Sequence, residues 1–292
     1  MSVYYLDDIL LFGNSPEGCE QNVNVTLVIL RRLGFYINYS KSSLVPSNQL
    51  EFLGFELNST TMLVKLPARK CDDILKIGHS ILEKSVRICE LASFIGLLVS
   101  TFPAVNYGPL FIKFLELDKI NALSLNFGNF DAFCTLRQDS VLDINWWISN
   151  VSLSSNSIED CSPSIWLETE ASSLGWGAVR DSVTTGGRWS ITEQKLHINV
   201  LEIMAALFGL QSLCRSVKSK HIRIRIDVTA VSYINKMGGT KSNLICVIVL
   251  QIPFGNGQFH LRTILLQNIL QDLRTSSRIK LVKYFMILQN GN

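Results

Sequence analysis

The stretch Trp166-Leu167-Glu168-Thr169-Glu170-Ala171-Ser172-Ser173-Leu174-Gly175-Trp176-Gly177-Ala178-Val179 restricts what this chain can fold into more than any other. A strand ending in an acid, a small polar turn and a glycine-punctuated second strand make a hairpin that presents a carboxylate, Glu170, at its edge. Three further acids stand downstream where solvated surface is a poor explanation. Glu202 lies inside the apolar run 198–213, Asp227 ends the alternating segment His221-Ile222-Arg223-Ile224-Arg225-Ile226, and Asp272 follows Asn268. Between Ile203 and Asn292 the only acids are Asp227 and Asp272, against twelve lysines and arginines starting at Arg215. So few acids among so many bases point to a specific task for the acids and to phosphate as a partner for the bases.

The chain is long enough for two domains, and its 47% hydrophobic content can fill their cores. Charged residues make up only 17%, below the roughly 25% usual for soluble domains, which implies exposed apolar surface or a missing partner. Seven cysteines at 19, 71, 89, 134, 161, 214 and 246 are odd in number, scattered, and without CxxC or Cys/His ligand spacing. They read as reduced thiols of an intracellular protein, cytoplasmic or nuclear. The amino terminus lacks the layout of a signal peptide. Residues 91–105 are apolar but short of the roughly 20 a membrane span requires, so they read as a buried helix and no membrane partner is expected.

At the amino terminus, Val3-Tyr4-Tyr5-Leu6-Asp7-Asp8-Ile9-Leu10-Leu11-Phe12-Gly13 is a β-branched and aromatic run broken by two adjacent acids, the layout of a hairpin with carboxylates at its tip. Ser15-Pro16 can open a helix, Val23, Leu27, Leu30 and Leu33 continue it, and Gly34 ends it. Two short strands follow around a turn at Pro46, one over 34–38 with Lys41 after it, the other over 50–55. Residues 131–150, with Trp146-Trp147, read as a helix, and the Ser/Asn-rich stretch 152–164 as a linker. From 165 the order is strand, turn, strand at 178–181, turn at Gly186-Gly187, strand at 188–190, helix at 198–217, strand at 221–227 and helix at 229–237.

Taken together, Tyr5-Leu6-Asp7-Asp8, the helix, Gly34-Phe35 with Lys41, and Phe52-Leu53-Gly54 resemble the later palm of a reverse transcriptase. The stretch 91–110 looks like the thumb and connection of DIRS-type and related, including gypsy-like, retrotransposon Pol polyproteins. Thr169-Glu170-Ala171-Ser172 and His197-Ile198-Asn199-Val200-Leu201-Glu202 are similar to the first-strand and helix motifs of the retroelement ribonuclease H domain, with Asp227 as the third acid. Past Leu244 the match fades: Asn268-Ile269-Leu270-Gln271-Asp272 and Ser277-Arg278 echo the family's closing segment, but its His-Ile-Pro-Gly turn is absent.

The resemblance implies an α/β protein. A partial α+β palm (1–66) and helical thumb/connection (67–151) lead through a linker (152–163) to a ribonuclease H-like mixed five-stranded sheet with helices (164–278) and an unassigned tail (279–292). It also implies Mg²⁺-dependent cleavage of RNA in RNA/DNA hybrids. Two Mg²⁺ ions, with Mn²⁺ as the alternative, would be held by Glu170, Glu202, Asp227 and Asp272, since hard cations prefer carboxylate oxygens. Lys41, Arg188, Trp189, Lys236 and Lys241 are candidates for touching a hybrid or template-primer backbone, with ordinary surface charge as the alternative.

Residue by residue other readings stay open. A lone Glu in a run like that around Glu202 commonly faces solvent, Asp227 can simply cap the next helix, and His197 reads as a capping or packing residue. Glu170 departs from the family's Asp; a misplacement near 1 Å can cost about a hundredfold in rate. Asp7 and Asp8 read as a polymerase remnant. The family draws a third aspartate from a strand upstream of this hairpin, so polymerisation would need the missing palm and fingers as a partner. The competing class is a decayed or domesticated retroelement fragment that at most binds nucleic acid.

Overall fold

The computed structural model describes residues 2–158, 164–217, 222–226 and, for the backbone, 284–289. The chain opens with the hairpin β1 (Ser2–Tyr5) and β2 (Asp8–Gly13), then α1 (Pro16–Arg32). Ser15 caps α1, its hydroxyl accepting from Gly18 N–H at 3.1 Å, and Gly34 follows its end at φ 85°. Short strands β3 (Ser43–Ser47), β4 (Gln49–Phe52), β5 (Phe55–Asn58) and β6 (Leu63–Lys65) lead to α2 (Ala68–Glu83). Then come β7 (Val86–Arg87), α3 (Ile88–Val99), α4 (Lys113–Leu125), β8 (Phe133–Cys134), α5 (Gln138–Asn150) and β9 (Ser155–Ser157). The last part holds β10 (Ile165–Ala171), β11 (Gly175–Arg180), β12 (Val183–Arg188), α6 (Ile198–Leu213), β13 (Ile222–Arg225) and β14 (Tyr284–Gln289).

Several elements differ from the sequence reading. Residues 34–38 form a turn and a single bridge at Ile37, and Pro46 lies inside β3. That strand is at the edge of its sheet, where a residue without N–H is tolerated. The turn that was expected at Pro46 falls instead at Leu53-Gly54, both at positive φ, between β4 and β5. The helix over 131–150 begins only at Gln138, because Phe133–Cys134 pairs with β7. The buried helix of 91–105 is α3, which stops at Val99, and no helix among the described residues is long and apolar enough to cross a membrane. Ser155–Ser157 of the expected linker pairs with β6. Gly186 and Gly187 are strand residues opposite Gly177 and Trp176, while the turn sits at Asp181 (φ 55°). A Cβ on Gly186 would come within 2.6 Å of the Trp176 carbonyl oxygen, so the pairing itself requires glycine there.

Three apolar clusters organise the fold. The largest joins the amino-terminal strands to the helical middle: Leu10 and Phe12 pack with Leu57, Val64, Ile74, Leu91, Phe94 and Trp147. Trp147 is fully buried and its Nε1–H donates to Phe111 O at 2.8 Å, satisfying the one polar atom it carries inside. A second cluster lies under the opposite face of β2, where Ile9 and Leu11 meet Cys19, Val23, Leu27 and Leu30 of α1. The third seats α6 on β10 and β11 through Leu167, Ala178, Val200, Ile203, Ala206 and Leu210. Cys19, Cys71, Cys89, Cys134 and Cys214 are free thiols.

Two packing features yield measurable consequences. A Cβ on Gly209 of α6 would sit 2.9 Å from Ala178 Cβ and 3.0 Å from Thr169 Cγ2, so helix and sheet touch there backbone to side chain. Gly209→Val is expected to lower stability by about 1–3 kcal/mol through overpacking, read by urea unfolding; an unchanged midpoint contradicts that contact. Asp143 of α5 is buried, and one carboxylate oxygen has no hydrogen-bond partner. Burial pushes its pKa from 3.8 up to about 7, only partly offset by the Phe114 N–H. Because the folded value is the raised one, stability is full below about pH 4 and lost as the pH climbs through 7, a swing on the order of 4 kcal/mol. Asp143→Asn is therefore expected to flatten the pH 4–8 stability profile, and parallel profiles for the two chains would refute it.

Candidate functional site

The carboxy-terminal sheet has the order β12-β11-β10-β13, with β13 parallel to β10 and the other neighbours antiparallel. Strand alternation divides β10: Leu167 and Thr169 are buried toward α6, while Trp166, Glu168 and Glu170 are exposed on the other face. Glu170 stands opposite Gly177, and Gly177 stands opposite Gly186. Across three strands the row beginning at Glu170 therefore carries no further side chain. This leaves a depression beside the carboxylate, part of a cavity of about 610 Å³ lined by Glu168, Glu170, Thr184, Glu202, Arg225 and Ile226 among others.

α6 is apolar on every side and packs as a buried helix. Glu202 in its second turn is only 6% exposed, against the solvent-facing alternative. Its Oε1 accepts from Ala171 N–H at 3.1 Å, at the end of β10 directly after Glu170. His197 is a cap: its Nδ1 accepts from Asn199 N–H at 3.2 Å. Glu170 and Glu202 thus line one cavity from a strand and a helix, and Ile226, the residue before Asp227, lines it from a third element. Asp227, Asp272, Lys236 and Lys241 lie outside the described residues, as do the helix expected at 229–237 and a fifth strand of this sheet. Among the described residues no group of three or more His, Cys, Asp or Glu is placed to hold a metal ion.

Trp189 is a correction. It is 3% exposed, its Nε1–H donates to Ser172 O at 2.8 Å, and its ring lies against Phe208, so it braces the hairpin turn from inside and cannot stack on a ligand. Arg188 is exposed at the end of β12, and Lys41 is exposed in the turn before β3. The sequence reading passed over two arginines that the fold places next to the cavity. Arg225 donates to Glu168 Oε1 at 2.6 Å, and Arg223 and Arg225 lie 5.4 and 5.5 Å from the Trp166 ring centre. The alternation Ile222-Arg223-Ile224-Arg225 already put both on one face; what it could not supply was the parallel register that brings Trp166 beside Arg223 and Glu168 beside Arg225.

At the other end of the molecule, Tyr5 pairs with Asp8, so Leu6-Asp7 is the tip of a tight hairpin. Leu6 is held at φ 50°, an unfavourable region for a branched side chain that costs on the order of 1–3 kcal/mol. Asp7 is exposed and Asp8 partly so, and β2 is flanked by β1 and β14, neither of which carries an acid. The described residues thus place two acids at this tip without a third from the neighbouring strands.

Comparison with known proteins bears on both ends unequally. Residues 1–57 match the family of reverse transcriptases, RNA-dependent DNA polymerases. No curated protein matches the chain by sequence. Among solved structures, the foamy viral protease-reverse transcriptase in complex with RNA/DNA hybrid is 18% identical with a TM-score of 0.46, aligned over 85% of this chain. A foamy viral protease-reverse transcriptase in complex with double-stranded DNA is 16% identical with a TM-score of 0.39, aligned over 76% of this chain. The chain spans 33% and 49% of those two proteins' lengths. What the comparisons establish is local: the first 57 residues, with the acidic hairpin, are similar to reverse transcriptases.

Proposed function

We propose that residues 164–278 form a ribonuclease H-type nuclease attached to a partial reverse-transcriptase palm in a retroelement polyprotein fragment, cleaving the RNA strand of an RNA/DNA hybrid. The observation carrying this reading is the convergence of Glu170, Glu202 and the strand end before Asp227 on one cavity. The donor set fits a hard divalent cation, because it consists of carboxylate oxygens without His or Cys, one of them on a buried helix position. Glu170, Glu202, Asp227 and Asp272 would hold Mg²⁺, which when bound supplies a hydroxide nucleophile and offsets charge on the phosphorus. Ala171 N–H fixes the Glu202 carboxylate in place, and the glycine row leaves room for a substrate phosphate beside Glu170. Arg225 and Arg188 offer positive charge to the strand backbone, which gives affinity without sequence choice.

Glu170 in place of an aspartate favours a second reading, a decayed fragment that still binds hybrid. Purified protein with labelled hybrid and Mg²⁺ separates the two. The nuclease reading expects RNA-strand cleavage that falls at least about a hundredfold in Asp227→Asn and Glu202→Gln and rises in Glu170→Asp, which returns the shorter side chain. Cleavage no greater than that of Asp227→Asn would falsify it, and salt-dependent hybrid binding without turnover would establish the decayed fragment instead. Primer extension by this chain alone is not expected.

A further inference from the structure

β2 is the most enclosed strand of the amino-terminal part: Ile9, Leu10, Leu11 and Phe12 are all at most 4% exposed. They alternate between two separate clusters, Leu10 and Phe12 on one face, Ile9 and Leu11 on the other. A strand covered on both faces must find backbone partners at both edges, since buried N–H and C=O groups are rarely left unpaired. β1 serves one edge over Asp8 to Leu11. The other edge is served by β14, which pairs antiparallel with every residue from Asp8 to Gly13.

β3 depends on the same segment. Among the described residues its only strand partner is β14, with Phe285 opposite Ser47 and Ile287 opposite Ser43. Taking β14 away would therefore leave a gap one strand wide between β2 and β3, about 9.5 Å across from two inter-strand steps. The occupant suits the place. Tyr284-Phe285-Met286-Ile287-Leu288-Gln289 has no charge, proline or glycine, as a central strand requires, whereas β3, with Pro46 and two serines, is built as an edge. It also comes from the opposite end of the chain, after 57 residues outside the described ones, counted from 227 to 283.

We propose that the gap between β2 and β3 is a strand-acceptor site for one extended apolar segment, and that Tyr284–Gln289 is its donor within the same chain. The tail then belongs to the amino-terminal sheet and is not a continuation of the carboxy-terminal domain. Recognition is by main-chain pairing along both edges, with side-chain choice limited to apolar residues. Register puts Gln289 opposite Asp8, so the donor brings an amide and not a carboxylate to the acidic hairpin.

Two measurements on the full-length chain test this. In Ser43→Cys/Ile287→Cys, mild oxidation is expected to link the two engineered positions within one chain, identified by peptide mapping and absent from either single variant. Linkage only between chains means that a second copy supplies the strand, and no linkage at these positions means that the slot is not filled by this segment; either overturns the proposal. In Ile287→Pro, which removes one of the donor's N–H groups, amide hydrogen exchange in β2 and β3 is expected to speed up at least tenfold while β10 and β11 keep the wild-type rate. Unchanged exchange in β2 and β3, or equal acceleration in all four strands, counts against a donor strand.

Discussion

One hydrogen bond holds the candidate site together: Ala171 N–H to the Glu202 carboxylate. α6 has no polar face to orient it, because apolar residues surround its axis. A helix of that kind can be buried in several rotations at similar hydrophobic gain. A buried carboxylate removes that freedom, since leaving it away from a donor costs several kcal/mol or shifts its protonation. The only rotations compatible with the sheet are those that bring Glu202 to the end of β10. Gly209, one backbone-width from Thr169 and Ala178, sets the closeness of the same packing.

This constraint also explains why Glu202 was misjudged as ambiguous and Trp189 as a surface ligand. Periodicity says that a residue lies in an apolar run; it does not say whether a single acid there points outward or pairs inward. That choice depends on Ala171, distant in sequence and presented by a hairpin turn. Trp189 follows an exposed arginine and looks like part of a binding rim, but its indole N–H is required by Ser172 O across the same turn.

Local chemistry carried the remainder of the sequence reading unevenly. Capping of α1 by Ser15, of α6 by His197, and the acidic hairpin tip were legible because each depends on residues within four positions. The order β10, β11, β12, α6, β13 was legible from hydrophobic alternation. Failures came where pairing partners are remote. Pro46 marked a turn by composition but sits in a strand whose missing N–H faces away from β14's side of the sheet's demands, at an edge. Gly186-Gly187 also read as a turn, yet the glycines are there because the Trp176 backbone and ring leave no space for a Cβ. Residues 133–134 were absorbed into a helix since nothing nearby reveals their pairing with β7.

The same bond at Ala171 bears on the departure at Glu170. In a looser hairpin, an extra methylene could be absorbed by a small retreat of the backbone. Here the residue after Glu170 is tied to α6, and the strand is paired to β11 on one side and, as far as Glu168, to β13 on the other. The longer side chain must therefore be accommodated by its own rotamers, and the space for that exists because Gly177 and Gly186 place no side chain across the row. Rotamer freedom in an open depression has an entropic cost when a ligand fixes it, on the order of 1–2 kcal/mol for a side chain of this length. A glutamate at 170 can still reach a metal or phosphate in the cavity, but it does so as the least preorganised member of the acid set, while Glu202 is the most.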